Sequence, residues 1–275
     1  MLFVNNSLRK NCMRKLIFAF IAVILITSSA FGNATDDLFT AIKDGSITVK
    51  QFNTLRKRGA NLRAKDENNL TALMWAVALK HDPKLIRAMI QAGADVNAKG
   101  EDGNTPLMNA AFGRAVWYYG LYGSDSNVLK ITPDVASVLI EAGAKVNARN
   151  DNGLTPLHHA VNASSGVVKV LLRAGADVNA RDSEGYSPLM YAVTESDIET
   201  VRALLDAGAN PNLQEKKYGL TALMRASFTT EGRPDIAGLL VRYGANIYLE
   251  DYDGKNVLEY DLTDEVRAAI VNSVR

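Results

Sequence analysis

The chain has 275 residues, with 31 Lys and Arg against 30 Asp and Glu and a net charge of +1. Arg9, Lys10, Arg14 and Lys15 all lie near the start, and without them the balance is 27 basic against 30 acidic residues, a net charge of −3. That balance argues against DNA or RNA binding, which needs a basic stripe, and the lone cysteine, Cys12, leaves the rest of the chain without a thiol.

The first element is a leader. Arg14-Lys15 precede an apolar run from Leu16 to Ile26, and small residues follow at Ser28, Ser29, Ala30, Gly32 and Ala34. A basic start, a short apolar core and a small-residue exit describe a secretory signal peptide. Cleavage after Ala30 and cleavage after Ala34 both fit, which makes residues 1–34 the leader in its longer form. A signal anchor is the alternative, but the apolar run is shorter than the ~20 residues needed to span a bilayer. Translation from Met13 would give a more compact leader. Cys12 precedes the apolar core, so it is not a lipid-modified residue at a bacterial cleavage site. Absence of thiols elsewhere is compatible with an oxidising compartment, and the expected location is a bacterial periplasm or the exterior.

Beyond the leader, six Gly-Ala pairs recur at Gly59, Gly93, Gly143, Gly175, Gly208 and Gly244. In phase with them run Thr71-Ala72-Leu73, Thr105-Pro106-Leu107, Thr155-Pro156-Leu157, Ser187-Pro188-Leu189 and Thr221-Ala222-Leu223. Self-similarity at about 33 residues marks a solenoid of stacked helix pairs. In the template repeat, Asn152-Gly153 supplies a tight turn, Thr155 caps the first helix and Pro156 suits its first position. Leu157, Ala160 and Val161 face the core. Ser164-Ser165-Gly166 start the second helix, whose expected buried stripe is Val167, Val170, Leu171 and Leu172. Gly175 ends it in a left-handed cap.

These motifs carry a resemblance. The stretch Asn150-Asp-Asn-Gly-Leu-Thr-Pro-Leu-His-His-Ala160, with Arg173-Ala-Gly-Ala-Asp-Val-Asn-Ala-Arg181, resembles an ankyrin repeat, and similar copies cover roughly residues 36 to 260. With the leader, the chain looks like a bacterial exported ankyrin repeat protein. The resemblance implies an all-α ankyrin-repeat solenoid of helix-turn-helix units with β-hairpin-like turns. Its expected divisions are a capping repeat at 35–65, repeats at 66–99, 100–149, 150–181, 182–213 and 214–249, and a C-terminal cap at 250–275. The second repeat is too long by 16 residues, an insertion between its helices within Arg114 to Ile131. Insertions map to loops, often on a binding face. This one holds Trp117, Tyr118, Tyr119 and Tyr122, which either contact a partner or fold back on neighbouring helices.

Signals for chemistry are sparse. His158 holds the fourth place of the Thr-Pro-Leu-His motif, where the resemblance implies a structural residue that ties down the neighbouring turn. His159 is expected to point to the concave face, and His81 lies in a turn before Asp82-Pro83, which read as the cap and first residue of a helix. None has metal-ligand spacing. Asp251-Tyr-Asp253-Gly254 hints at a calcium loop but lacks its third ligand and terminal Glu, so it reads as a hairpin turn. There is no nucleophile elbow, phosphate loop or cysteine nucleophile. Neither a catalytic residue, a metal nor a cofactor is expected, and the chain is read as no enzyme.

In the family, binding residues vary at the turn tip and along the exposed side of the first helix. The tip here holds Leu70, Asn104, Leu154, Tyr186 and Leu220. The helix positions hold Trp75, Asn109, His159, Tyr191 and Arg225, then Ala78, Phe112, Asn162, Thr194 and Phe228. Trp75, Phe112, Tyr186, Tyr191 and Phe228 would form an exposed aromatic band, a plausible docking surface because aromatics and Arg dominate hot spots. Core or inter-repeat packing is the alternative for Phe112 and Phe228. Truncating Trp75 or Tyr191 is expected to weaken partner binding by ~2 kcal/mol without unfolding the array.

The function expected is a monomeric, non-catalytic scaffold in the periplasm or outside the cell, holding a protein partner on its concave face and aromatic insertion. Narrower forms are an immunity protein against an envelope-acting toxin and an oxidative-stress accessory partnering a catalase. Other classes are an effector exported to a host cell and an enzyme or small-ligand binder using the insertion as a lid, which would need a deep pocket with convergent polar groups.

Overall fold

The computed structural model describes residues 33–79, 81–112, 133–228 and 233–274, which fall into two compact units divided after Asn61. The expected insertion within 114–131 lies outside the described residues.

The first unit is a helix pair, α1 (Ala34–Lys43) and α2 (Val49–Lys57). Asn33 caps α1 by accepting from Thr35 N at 3.0 Å, and Asp36 and Asp37 in the first turn complement the positive end of the helix. Thr48 and Gln51 form a reciprocal capping box on α2. Leu38, Ile42 and Phe52 are fully buried. The pair is closed by an Arg58–Asp37 ion pair at 3.0 Å and by Asn61 N donating to Thr35 Oγ1 at 2.9 Å.

The second unit repeats this plan. Its pairs are α3 (Ala72–Ala78) with α4 (Pro83–Gln91), α5 (Pro106–Ala111) with α6 (Pro133–Glu141), and α7 (Pro156–Ala160) with α8 (Ser165–Arg173). Next come α9 (Pro188–Glu195) with α10 (Ile198–Asp206) and α11 (Ala222–Ser227) with α12 (Pro234–Arg242). A 3-10 turn at Val257–Glu259 with α13 (Asp264–Ser273) ends the unit. First helices pack side by side in the order α3, α5, α7, α9, α11, second helices form a parallel row α4, α6, α8, α10, α12, α13, and each first helix also packs on the second helix of its own repeat. The core lies between the two rows, so each repeat is stabilised by its neighbours rather than by a private core.

The recurring hydroxyl starts each first helix. Thr71, Thr105, Ser187 and Thr221 accept from the backbone N–H three residues on, at 3.3–3.4 Å. Each cap of this kind contributes ~1 kcal/mol. In return, the sulfurs of Met74, Met108, Met190 and Met224 sit 3.4–3.5 Å from the cap residue's own backbone N. His158 Nδ1 takes this role in the third full repeat, accepting from Thr155 N at 3.0 Å. At the far ends, Gly175 adopts φ 83° and the other five Gly-Ala glycines do likewise, a conformation that costs a side-chain-bearing residue. In α8 the buried residues are Val167, Val168 and Leu171, which corrects the expected stripe. The helix is flanked by α6 and α10, and that sandwich turns Val168 inward and leaves Val170 and Leu172 partly exposed.

Asparagines lock the stack between repeats. Asn97 Nδ2 donates to Gly143 O at 3.0 Å and its Oδ1 accepts from Lys145 N at 2.8 Å. Asn147, Asn179 and Asn212 repeat the clamp on the glycines at 175, 208 and 244. The turn tips are joined too: Asp151 N donates to Asp102 O, Ser183 N to Asn152 O, Lys216 N to Glu184 O and Tyr252 N to Tyr218 O, each at 2.9 Å. Among the described residues the β pairing is one isolated bridge, Lys65 with Thr71. No helix among them is long and apolar enough to cross a membrane.

Candidate functional site

Three hairpin turns of the second unit are organised by the aspartate that opens them. Asp182 Oδ1 accepts from Glu184 N at 3.0 Å and Tyr186 N at 2.8 Å, and Oδ2 accepts from the Tyr191 hydroxyl at 2.7 Å. Asp66 does the same for Asn68 N, Leu70 N and, at 2.7 Å, the Trp75 indole N–H. Asp251 serves Asp253 N, Lys255 N and the Tyr260 hydroxyl. One acid thus satisfies two turn donors and pins an aromatic nine residues on, on the adjoining helix. Burial, the hydrogen bond and the charge of Asp251 push Tyr260 up to about 12, and burial with Asp182 raises Tyr191 in the same direction.

The turn before α11 is one residue longer, and Glu215 fills it. Its carboxylate accepts from Lys217, Tyr218 and Leu220 N. Burial by itself would raise this carboxyl, but the three N–H donors hold it below its ordinary value. The matching helix residue is Arg225, whose guanidinium lies 4.7 Å from the Tyr186 ring centre, while its Nε donates to Met190 O at 3.3 Å.

Two consecutive repeats break the pattern. Where the acid belongs, one has Gly100 and the other Asn150. Asn150 Oδ1 still accepts from Asn152 N and Leu154 N, but its Nδ2 is a donor and is spent on Asn104 Oδ1 at 2.9 Å. The partners nine residues on, Asn109 and His159, therefore have no turn carboxylate. Asn109 Nδ2 and His159 Nε2 are buried atoms without a hydrogen-bond partner. Such atoms are rare because each costs ~1–3 kcal/mol of desolvation.

The two residues line a recess of about 320 Å³ that also involves Asp102, Met108, Phe112, Leu154, Asn162 and Tyr191. Phe112 meets the His159 ring edge-on, 5.3 Å between centres. Burial, with a smaller contribution from His158, lowers His159 to about 4, so it is neutral at pH 7. His158 beside it is engaged at both nitrogens. Nδ1 accepts from Thr155 N, which leaves Nε2 to donate to Tyr186 O at 3.2 Å. That contact ties the helix to the next turn, the structural role the resemblance implied.

A family model described as ankyrin repeats (3 copies) matches residues 38–122, 128–215 and 163–251, and a single ankyrin repeat model matches 102–151. The chain belongs to the ankyrin repeat family. It is similar to a putative ankyrin repeat protein of Acanthamoeba polyphaga mimivirus, 51% identical over 63 residues, which is 23% of this chain and 37% of that protein. Among solved structures it resembles the ankyrin repeat domain of Bcl-3, a member of the IkappaB protein family. That likeness has a TM-score of 0.66 at 27% identity, over 85% of this chain and 97% of that one. Ankyrin repeats generally mediate protein–protein interaction, and the family is typically non-catalytic.

On this ankyrin array the expected aromatic band is not continuous. Trp75 is 2% exposed, its indole N–H held by Asp66, so it is core and not an exposed docking residue. The expectation that its truncation spares the fold is corrected with it. Asn109 and His159 come together in the recess with Phe112. Tyr186, Tyr191 and Arg225 form a second, partly exposed cluster, with the tyrosine rings 5.6 Å apart. Phe228 is 43% exposed and packs edge-on against Tyr260 at 4.6 Å. Trp117, Tyr118, Tyr119 and Tyr122 lie outside the described residues. Asp251 has both carboxylate oxygens engaged, in keeping with a hairpin turn. Among the described residues no His, Cys, Asp and Glu cluster could hold a metal. Sequence reasoning missed the turn acids, although the nine-residue spacing of Asp66–Trp75, Asp182–Tyr191 and Asp251–Tyr260 was a readable signal.

Proposed function

We propose that the protein is an exported, non-catalytic scaffold that binds a partner protein across its row of first helices, centred on the face from Asn109 to Arg225. The carrying observation is the recess itself. Two adjacent repeats leave buried polar atoms without partners at the very positions where ankyrin repeats vary their contacts. The neighbouring Tyr186–Tyr191–Arg225 cluster adds partly exposed groups of the kind that anchor interfaces. A stack locked by asparagine clamps presents this surface already ordered, so binding sacrifices little conformational entropy.

Export rests on the leader pattern alone. Cleavage after Ala30 suits the fold better than cleavage after Ala34, which would remove the Asn33 cap of α1. Neutralising an envelope toxin and assisting a catalase are two forms of the role, and the partner's identity decides between them. A small-ligand reading draws on the same recess, whose 320 Å³ sits at the lower edge of ligand pockets, ~300–1,000 Å³.

The test is affinity capture from the source cell's envelope fraction, using the tagged mature chain, its Tyr191→Ala variant and a variant lacking Val116–Asn127. The expected result is one protein held by the mature chain and weakened by Tyr191→Ala by ~2 kcal/mol. Loss in the deletion variant would extend the surface to the insertion. Capture that ignores Tyr191→Ala would refute the site, and absence of any captured protein would refute the scaffold.

A further inference from the structure

Resting on that reading, we infer that the recess between α5 and α7 is a subsite for one neutral carboxamide, the Asn or Gln side chain of a partner's docking segment. The demand in the recess comes from two groups. Asn109 Nδ2 is an amide donor on a residue 7% exposed, and His159 Nε2 is an imidazole nitrogen; neither has a partner. Several of the other polar side chains that line it are engaged elsewhere, Tyr191 with Asp182 and Asn162 with Ser196 among them. Asn104 Oδ1 accepts from Asn150, Asn150 Oδ1 accepts from its own turn, and His158 uses both ring nitrogens.

The guest must therefore accept from Asn109 and complement a neutral imidazole. Neutral histidine carries one N–H and one lone pair, and either can sit on Nε2. A carboxamide offers a carbonyl and an NH₂ together, so it complements both tautomers. A carboxylate would leave water for a recess lined by no Lys or Arg, a transfer that is costly without a counter-charge. An ammonium group has no acceptor for Asn109. An aliphatic side chain would leave both polar atoms unsatisfied. The volume, about 320 Å³, has room for such a side chain.

The experiment is an NMR titration of the folded mature chain with N-acetyl-glutamine methylamide, alongside the glutamate and leucine counterparts. The readouts are the Asn109 side-chain NH₂ and the His159 ring signals. The expected result is saturable shifts with the glutamine probe and at least about tenfold weaker binding of the other two, a gap of ~1.4 kcal/mol. Asn109→Leu and the isosteric Asn109→Asp, each checked for a native melting transition, should lose the glutamine response. No shift with the glutamine probe, equal response to leucine or glutamate, or an unchanged response in both variants overturns the subsite. If the envelope capture yields a partner while the probe fails, the subsite falls and the scaffold stands. If the probe binds and nothing is captured, the scaffold falls and the subsite stands.

Discussion

The repeat opened by Asp182 and the repeat opened by Asn150 are built on one plan, yet they treat the first helix differently. In the former a carboxylate meets the Tyr191 hydroxyl, and every buried polar atom of the pair is matched. In the latter a single exchange of an oxygen for an NH₂ turns the acceptor into a donor. That donor goes sideways to Asn104, and His159 is left unmatched. The repeat before it makes the same omission by having Gly100. Closed repeats match their buried polar groups; open ones leave two of them without a partner.

The largest test of the contrast is Trp75, the helix partner in a closed repeat. Trp75→Ala removes a fully packed ring and its hydrogen bond to Asp66. It should cost ~3–5 kcal/mol and read out as a lowered urea midpoint. A midpoint within error of the parent would place Trp75 outside the core. Next in size is the turn residue. Asp182→Ala strips the acceptor from two backbone donors and from Tyr191, and should cost ~1–3 kcal/mol. Asn150→Ala strips two backbone donors but no ring, so its cost should be smaller. Equal costs would mean that the aromatic link contributes nothing and the two repeats do not differ energetically.

The contrast has a pH signature as well. His159 has a folded value of about 4, below its ordinary 6.5, so between these values the unfolded chain binds the extra proton. Stability therefore falls as pH drops from about 6.5 towards 4. Glu215 and Asp251 act lower down. Burial opposes their ionisation, but the hydrogen bonds they accept outweigh it and hold them below 4.5 and 3.8. Their contribution is present above those values and lost as pH falls through the folded ones. His159→Phe should flatten the upper limb and leave the lower one. His158, buried and lowered as well, would retain a share of the upper limb. An unchanged limb above pH 4.5 in His159→Phe would show that the ring is not buried in the neutral form.

Much of this was legible in the chain, for physical reasons. The Gly-Ala pairs and Thr-Pro-Leu starts mark backbone conformations that few residues accept, so they announced the helix pairs, their caps and their order. Asp82-Pro83 was readable as a helix start on the same grounds. The fate of Trp75 was not. First-helix positions align in sequence, but whether a ring there faces solvent depends on an acid nine residues back across a turn. The alignment of Trp75, Asn109, His159, Tyr191 and Arg225 suggested one surface, whereas Asp66, Gly100, Asn150, Asp182 and Glu215 make it three environments. The Val168-for-Val170 exchange in α8 was hidden similarly, because it depends on helices on both sides.

The finest break in the comparison is to close an open repeat without rebuilding its acid. Asn109→Leu replaces an amide whose NH₂ has no partner with an apolar group of similar reach, against Met108 and the Phe112 ring that already line the recess. Removing an unsatisfied buried donor recovers its desolvation cost, ~1–3 kcal/mol at most, less whatever strain the larger side chain imposes. The expected net is a gain of up to ~1 kcal/mol, read as a small rise in melting temperature. The same substitution in a closed repeat has no such reserve: Tyr191→Leu would orphan Asp182 Oδ2 and should lower stability. Opposite signs at two aligned positions would show that the open repeat is less stable than its own scaffold allows, as expected where a donor is kept for a partner. A loss at both positions would mean that Asn109 is satisfied in solution, and the recess would then have no demand for a guest to meet.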